Sequence, residues 1–365
     1  MLPLYKGAAT PSIDGRGFGS RRVEDGVHCA FVEQEMDRGA PTRRAWLGLV
    51  AGAAGALAAP RLARAQARRA AQVGVLLYGT PVGDTQLAGL RHGLRELGYV
   101  EGDSLALELR SAAGRPERLR DLAADLARLR PDVIVALGSE AAPFARQASS
   151  AVPVVIVTSA DPVEAGLVAS LTRPGGHVTG VTFTTADIGG KRLQLLREAM
   201  PRLTRVAVLW NPDHPDGEFR DTQTTGRALG LSVQSVEARG AEDFDGALEE
   251  AVRDKAEALI VVSSRLMTLQ QERIMGLAGR YRMMVAGGWG PWAEAGALLA
   301  YGADLDLIVR RAANLVDRIL RGTRPADLPV EQPTRFRLIV NLRTARTFGL
   351  AVPQALLVRA DKVIK

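Results

Sequence analysis

The sequence predicts an α/β protein made of two Rossmann-like lobes with parallel sheets, joined by a hinge of several chain segments. From Gln72 onward, short β-branched runs alternate with helical patterns, which is typical of βαβ units. This series runs once as far as Thr182 and then starts again. The last part of the chain has too few elements for a third domain, so we expect it to complete the first two by crossing between them.

The composition narrows the class of protein. The chain has 365 residues and is 47% hydrophobic, which is enough for two domains with sizeable cores. One Cys and four His leave little material for zinc or thiol chemistry, so we expect no metal site. After residue 65 there are 38 basic and 34 acidic side chains, and the arginines are spread over helical patterns. That distribution favours a solvated helix surface over a nucleic-acid groove.

Residues 36–65 are interpreted as an export signal peptide. Arg43 and Arg44 precede the apolar run Trp46–Ala59, and Ala63-Arg64-Ala65 matches an A-x-A cleavage pattern, so cleavage is expected near Ala65. The paired arginines resemble a twin-arginine signal, and a Sec-type signal with incidental arginines remains open. Either route predicts a periplasmic protein.

Residues 1–35 are Gly-rich, polar and without periodicity. Because a signal peptide normally starts a chain, we interpret them as a non-native or disordered extension, with translation beginning at Met36. Cys29 lies in this stretch, so the mature protein is expected to contain no cysteine. That is compatible with an oxidising compartment.

The elements of the first series follow from their apolar patterns. Strands are predicted at Val73–Tyr78, Leu105–Arg110, Asp132–Leu137, Val154–Thr158 and Val178–Thr182. Helices are predicted at Leu87–Leu97, Pro116–Leu129, Ala141–Ala148 and Val163–Leu171.

The second series repeats this order. Strands are predicted at Arg205–Trp210, Ser232–Glu237, Ala258–Val262, Met283–Ala286 and Ala297–Tyr301. Helices are predicted at Lys191–Met200, Glu218–Leu229, Phe244–Lys255 and Met267–Arg280. In the tail, we expect helices at Leu305–Arg321 and Leu342–Thr347, a connector at Leu328–Gln332 and a strand at Arg337–Asn341. Lobe one is therefore predicted to comprise 70–182 plus 302–332, and lobe two 183–301 plus 333–365.

The sequence lacks the motifs of the common nucleotide-dependent and hydrolytic enzymes. It has no Walker A motif, no G-x-G-x-x-G after the first strand and no G-x-S-x-G elbow. His177 and His214 fall in loops without an acidic cluster at metal-ligand spacing. We expect no catalytic residue and no cofactor.

Small polar residues follow the predicted strands, where a crevice between the lobes would lie. The candidate ligand-binding residues are Ser139, Ser159 and Asp161 in lobe one, and Asn211, Ser263 and Trp289 in lobe two. Hydroxyls and helix N-terminal NH groups suit a carboxylate, Asp161 suits an ammonium, and Trp289 supplies an apolar wall. Alternatively, the Ser, Asp and Asn residues cap the following helices.

Several strings of the chain resemble a large family of bacterial ABC-transporter substrate-binding proteins, some of which are assigned to tryptophan or tyrosine uptake. The matching strings are Asp161–Gly180 (DPVEAGLVASLTRPGGHVTG), Val206–Pro212, Trp292–Gly302, Ala326–Arg343 and Gly349–Ile364. The resemblance covers roughly residues 72–364. It implies a type I periplasmic binding protein: two lobes, three crossing segments and a ligand enclosed between them. One departure is His177, where the family usually has Asn.

We therefore expect an exported solute receptor that binds a small polar ligand, such as an amino acid, and presents it to ABC permease subunits in the membrane. It would be monomeric and would perform no chemistry. Three alternatives remain open: a receptor that feeds a sensor kinase, an exported Rossmann-like enzyme, and the sensor domain of a transcriptional regulator.

Overall fold

The computed structural model describes residues 69–183, 185, 187–214 and 217–365. The predicted signal peptide at 36–65, its cleavage point near Ala65, the extension at 1–35 and Cys29 all lie outside the described residues. Within the described part of the chain, no helix combines the length and the apolar character needed to cross a bilayer.

Lobe one is built on a five-stranded parallel sheet with strand order β2-β1-β3-β4-β5. Its strands are β1 (Ala71–Leu77), β2 (Leu105–Ser111), β3 (Val133–Leu137), β4 (Val154–Thr158) and β5 (Val178–Thr182). Strands β3, β4 and β5 are buried at every position, because helices cover both faces. This explains why they are continuous apolar runs rather than alternating ones.

The helices of lobe one come from two distant parts of the chain. They are α1 (Thr85–Glu96), α2 (Leu119–Arg128), α3 (Ala142–Ala148) and, from the C-terminal part, α10 (Leu305–Leu320). Helix α10 packs against α1 and against β3, β4 and β5. The two helices approach closely at Gly93, where an added Cβ would lie 2.7 Å from the Cβ of Ala313. The late segment is therefore part of the lobe-one core.

Lobe two contains a seven-stranded sheet with strand order β12-β11-β10-β9-β8-β6-β7. Its strands are β6 (Arg205–Trp210), β7 (Ser232–Glu237), β8 (Ala258–Val261), β9 (Met284–Gly287), β10 (Leu299–Ala303), β11 (Phe336–Asn341) and β12 (Lys362–Ile364). Strands β10 and β11 pair antiparallel, and the other pairs are parallel.

The helices of lobe two cover this sheet. They are α4 (Ile188–Ala199), α5 (Glu218–Ala228), α6 (Phe244–Arg253), α7 (Arg265–Leu269), α8 (Gln271–Arg280), α9 (Gly290–Glu294), α11 (Leu342–Thr347) and α12 (Gln354–Arg359). Helices α4 and α5 lie so close together that a Cβ at Gly189 would come within 2.4 Å of the Glu218 carbonyl oxygen. This contact brings two charged side chains together, as described below.

Three segments join the lobes. The chain leaves β5 for α4, returns from β10 to α10 at Asp304, and leaves lobe one again before β11. Before this last crossing, Glu331 extends the lobe-one sheet: its NH donates to the Gly180 carbonyl and its carbonyl accepts from the Thr182 NH, both at 2.9 Å. The carboxyl ends of the central strands of both sheets border the space between the lobes, which we call the cleft.

Two predicted helices differ from the structure. The segment predicted as a helix at Val163–Leu171 is a series of turns, because Gly166 adopts a left-handed φ of 66° after a single turn. The helix predicted at Met267–Arg280 is divided at Gln270 into α7 and α8, and Ser264 starts α7 two residues early by capping the Met267 NH. Helices α9 and α12 and strand β12 were not predicted, since each has only 3–6 residues and too short a pattern.

Candidate functional site

The lobe-one wall of the cleft contains a cluster of buried hydroxyl groups. The Ser139 Oγ lies 2.8 Å from the Thr158 Oγ1 and 3.1 Å from the Ser159 Oγ, and it accepts hydrogen bonds from the NH groups of Ser159 and Ala160. Ser139 and Ser159 come together because they follow the adjacent parallel strands β3 and β4. Ser139 thus shapes the loop, and Ser159 faces the other lobe.

His214 of lobe two reaches this hydroxyl cluster. Its Nε2 lies 3.1 Å from the Ser159 Oγ, and the His214 side chain is buried. Asn211 sets up the loop: its Oδ1 accepts from the Asp213 NH at 2.9 Å, and its carbonyl accepts from the His214 NH at 3.0 Å. Asn211 therefore acts in this structure through the loop that carries His214.

A second contact between the lobes is a buried ion pair. Asp84 is the N-cap of α1, where its Oδ1 accepts from the Leu87 NH at 2.9 Å. Its Oδ2 accepts from the Nη2 of Arg265, the first residue of α7 in lobe two. The side chains are 0% and 5% exposed respectively, so the pair is shielded from water and the attraction is little screened.

A cavity of about 270 Å³ lies beside this ion pair and is lined by both lobes. Lobe one contributes Thr80 and Asp84, and lobe two contributes Arg265, Trp289 and Trp292. Trp289 also contacts Phe183 at the first crossing segment, edge to face, with ring centroids 5.9 Å apart. The cavity thus combines an apolar aromatic wall with charged groups, as small-molecule sites commonly do.

Ser263 in the lobe-two wall is held by a buried ion pair. The Glu218 carboxylate accepts from Arg192 and, at 3.2 Å, from the Ser263 NH. Arg192 Nη2 donates to the Ser263 Oγ at 3.3 Å and to the Tyr301 carbonyl at 3.2 Å. The side chains of Arg192 and Glu218 are 0% and 1% exposed. Ser263 is therefore positioned by charges from α4 and α5 rather than by its own loop.

Asp161 lies apart from these groups. It is exposed, and its Oδ1 accepts from the NH groups of Val163 and Glu164 at 2.7 and 3.1 Å. It also lines a separate cavity of about 340 Å³ with Arg220 and Asp221 of lobe two. These bonds resemble those of a helix cap, but the segment that follows is a series of turns, so Asp161 closes a turn and caps no helix. Its contact with a ligand stays a prediction.

Tyr78 follows β1 at the same edge of the sheet. Burial, together with the negative charges of Glu140, Glu117 and Glu242, raises the pKa of Tyr78 to about 12. Its phenol is therefore neutral at physiological pH. Among the described residues, no group of three or more His, Cys, Asp and Glu side chains is arranged to hold a metal ion.

Comparison with known proteins decides the family. Residues 73–364 match the family model described as ABC transporter substrate binding protein. The chain belongs to this family of substrate-binding proteins. The tyrosine-binding protein of Clostridioides difficile (strain R20291) is 23% identical to it over 270 residues, which cover 73% of this chain and 77% of that protein.

Solved structures share the fold of this substrate-binding protein. A conserved domain protein from Vibrio cholerae O1 biovar El Tor str. N16961 has a TM-score of 0.76 and 25% identity, covering 81% of this chain and 100% of that chain. The ABC domain in complex with L-Trp from Streptococcus pneumoniae has a TM-score of 0.74 and 21% identity, with the same coverage. The prediction of the family and of its two-lobed α/β fold is confirmed.

Sequence reasoning missed the charged residues of this substrate-binding protein's cleft. Asp84 and Arg265 are separated by 181 positions, and each looks like an ordinary helix-start residue. A usable signal was present for Arg265, since it lies two positions after the candidate residue Ser263, beyond the end of the predicted strand Ala258–Val262. Arg192 and Glu218 lie within helical patterns, where a charge normally indicates a solvated face.

Proposed function

We propose that this substrate-binding protein is the extracytoplasmic receptor of an ABC uptake transporter, which encloses a small polar solute between its lobes. An amino acid is the leading candidate. The observation that carries the proposal is that buried polar side chains from opposite lobes meet in the cleft, as the Asp84–Arg265 and Ser159–His214 contacts do. A solute that bonds both lobes stabilises their closed arrangement by contacts that the open one lacks.

The amino-acid assignment draws support from two sources. The cavity beside Asp84 and Arg265 offers charges of both signs next to Trp289 and Trp292. Two similar proteins are described as a tyrosine-binding protein and as a complex with L-Trp. Within this proposal, lobe one comprises 70–182 plus 304–332 and lobe two comprises 183–303 plus 333–365. The predicted boundary at 302 moves by two residues because β10 runs to Ala303 in the lobe-two sheet. Ser139, Ser159, Ser263 and Trp289 form the wall, Asn211 supports it, and Asp161 lies at its edge.

The partners of the receptor follow from the family. We assign the membrane-spanning permease and the ATPase to separate chains, and we assign no catalysis, no cofactor and no nucleic acid to this one. The receptor acts as a monomer in the periplasm after cleavage near Ala65. Amino-terminal sequencing of the protein from its native host tests this: it should begin at Gln66 or within a few residues, and a retained segment 36–65 contradicts it.

Solution scattering and melting of the purified chain test the binding function. A panel of the common L-amino acids, simple dicarboxylates and sugars is screened by thermal melting, and each solute that raises the melting temperature is carried into small-angle scattering. We expect at least one amino acid to bind and to lower the radius of gyration as the lobes close. A chain that binds no member of the panel, or binds without any change in its radius of gyration, contradicts the proposal.

A further inference from the structure

Glu140 carries a buried carboxylate that the fold itself does not use. It follows β3 in the string Gly138-Ser139-Glu140, one residue beyond the hydroxyl cluster. Both carboxylate oxygens are shielded from solvent, and neither has a hydrogen-bond partner among the described residues. A carboxylate accepts hydrogen bonds and cannot donate them, so burial without a partner costs free energy that a donor must offset.

The Glu140 carboxylate lies where lobe two packs onto lobe one. A Cβ added at Gly138 would lie 3.2 Å from the Oε2 of Glu140 and 2.8 Å from the Cγ of Arg265. Gly138 also has a φ of 110°, which side chains other than glycine rarely adopt. Glycine at this position is what allows Arg265 and Glu140 to come so near to one another.

Among the described residues, Arg265 makes no hydrogen bond to the Glu140 carboxylate. Its Nη2 donates to Asp84, and its Nε, also buried, has no partner among the described residues. The region therefore holds two carboxylates and one guanidinium, with an unused acceptor on lobe one and an unused donor on lobe two. The pKa of Tyr78 agrees with this excess of negative charge. It is raised first by burial and then by three carboxylates, of which Glu140 has the largest effect.

We propose that Glu140 binds a protonated amine of the solute while the Nε of Arg265 donates to the solute's carboxylate, so that the receptor selects zwitterions. This inference rests on the proposed function and names the two groups that recognise its ligand. An ammonium supplies donors that an unpartnered carboxylate needs, and a carboxylate accepts from a guanidinium NH. Because Glu140 belongs to lobe one and Arg265 to lobe two, a zwitterion joins the lobes and an amine-free acid leaves Glu140 unsatisfied.

The test compares matched solutes and matched variants by calorimetry on the full chain. The probes are L-tyrosine and L-tryptophan, or whichever amino acid of the panel binds, each paired with its amine-free acid, such as 3-(4-hydroxyphenyl)propionate or indole-3-propionate. The variants are Glu140→Gln and, as the control, Glu117→Gln. Glu117 is exposed, lies in the same lobe and also acts on Tyr78, so its variant removes a nearby charge without touching the cleft.

The wild-type chain should bind the amino acid on the order of tenfold to a hundredfold more tightly than its amine-free acid, as expected for a charge-assisted hydrogen bond. Glu140→Gln should remove most of that preference by weakening amino-acid binding alone, and Glu117→Gln should leave it intact. Glu140→Gln should melt at or above the wild-type temperature without ligand, because the buried charge is gone.

Equal affinity of the wild-type chain for an amino acid and its amine-free acid overturns the inference, even if Glu140→Gln fails to fold. A folded Glu140→Gln variant that keeps the full preference overturns it as well. Binding of only sugars or amine-free acids overturns the inference and leaves the proposed receptor function standing. A chain that binds nothing in the panel contradicts the receptor function itself, and the inference with it.

Discussion

The polar groups on the lobe-one wall of the cleft are held by hydroxyls and backbone amides, whereas those on the lobe-two wall are held by a buried ion pair. In lobe one, the Ser139 hydroxyl accepts from the NH groups of Ser159 and Ala160. In lobe two, Arg192 and Glu218 hold Ser263 from the helices behind it. Neutral hydrogen bonds contribute about 1 kcal/mol each, while a buried charge that loses its partner costs several.

This difference predicts that changes in the two walls act differently on solute binding and on the free energy of unfolding. The lobe-two wall is connected to the packing of α4 on α5, so a change in it also changes the free energy of unfolding. The lobe-one wall ends in short loops, so a change there acts mostly on the solute. Asp84 lies in the lobe-one wall and Arg265 lies in the lobe-two wall. Their ion pair therefore contributes both to the contact between the lobes and to the free energy of unfolding.

The largest effect is expected from Arg192→Met. Removing the guanidinium leaves the Glu218 carboxylate buried without its cation, which should lower the free energy of unfolding by about 3–5 kcal/mol. Urea unfolding followed by circular dichroism measures this. The control is Arg220→Met, which removes the exposed pair with Glu164 at 2.8 Å and should cost less than about 1 kcal/mol. Equal losses of unfolding free energy in the two variants would show that the buried Arg192–Glu218 pair stabilises the lobe-two wall no more than an exposed pair does.

The pair that spans the lobes gives the next largest effect. Asp84→Ala removes both the cap of α1 and the partner of Arg265, and should destabilise the chain by roughly 2–4 kcal/mol. Asp84→Asn keeps a good N-cap but still leaves the buried Arg265 guanidinium without its carboxylate, so it should recover only about 1 kcal/mol of that loss. Scattering should show a larger radius of gyration for both variants than for the wild type. An unchanged radius would mean that the pair does not hold the lobes together.

The contrast between the walls also explains what the sequence could and could not predict. The adjacency of Ser139 and Ser159 was predictable, since parallel strands end at one edge and both residues follow apolar runs. The Asp84–Arg265 pair was not predictable, because the two residues lie on different lobes and 181 positions apart, and only the contact between the lobes brings them together. The pairing of Arg192 with Glu218 could not be predicted for another reason. Gly189 allows α4 to approach α5 closely, and a helical pattern does not indicate which helices approach each other.

Ser263 and Asp161 compare a residue of the lobe-two wall with a residue that lies outside the lobe-one hydroxyl cluster. Ser263→Ala should weaken binding of the amino acid by about 1–3 kcal/mol in calorimetry, since it disturbs the wall that Arg192 supports, and it should also lower the free energy of unfolding because the Arg192 guanidinium loses one acceptor. Asp161→Ala should lower the free energy of unfolding by about 0.5–2 kcal/mol through loss of the two hydrogen bonds that close its turn, with affinity unchanged. Asp161→Asn, which keeps an acceptor for these bonds, should change neither quantity. Weaker binding by Asp161→Asn would instead place that carboxylate in contact with the solute.

The smallest effect concerns Tyr78, whose pKa is raised first by burial and then by the negative charges of Glu140 and Glu117 of lobe one and Glu242 of lobe two. The pKa of Tyr78 is raised from 10.0 to about 12, so between these values the folded chain keeps a proton that the unfolded chain has lost. Unfolding then releases a proton, and stability falls as the pH rises through this window. Tyr78→Phe has no proton to lose and should remove that part of the alkaline decline, roughly 1 kcal/mol after solvent screening. Melting temperatures of the variant and the wild type, measured from pH 9 to pH 12, give the comparison. Parallel curves for the two proteins would show that the pKa of Tyr78 is not raised in the folded chain.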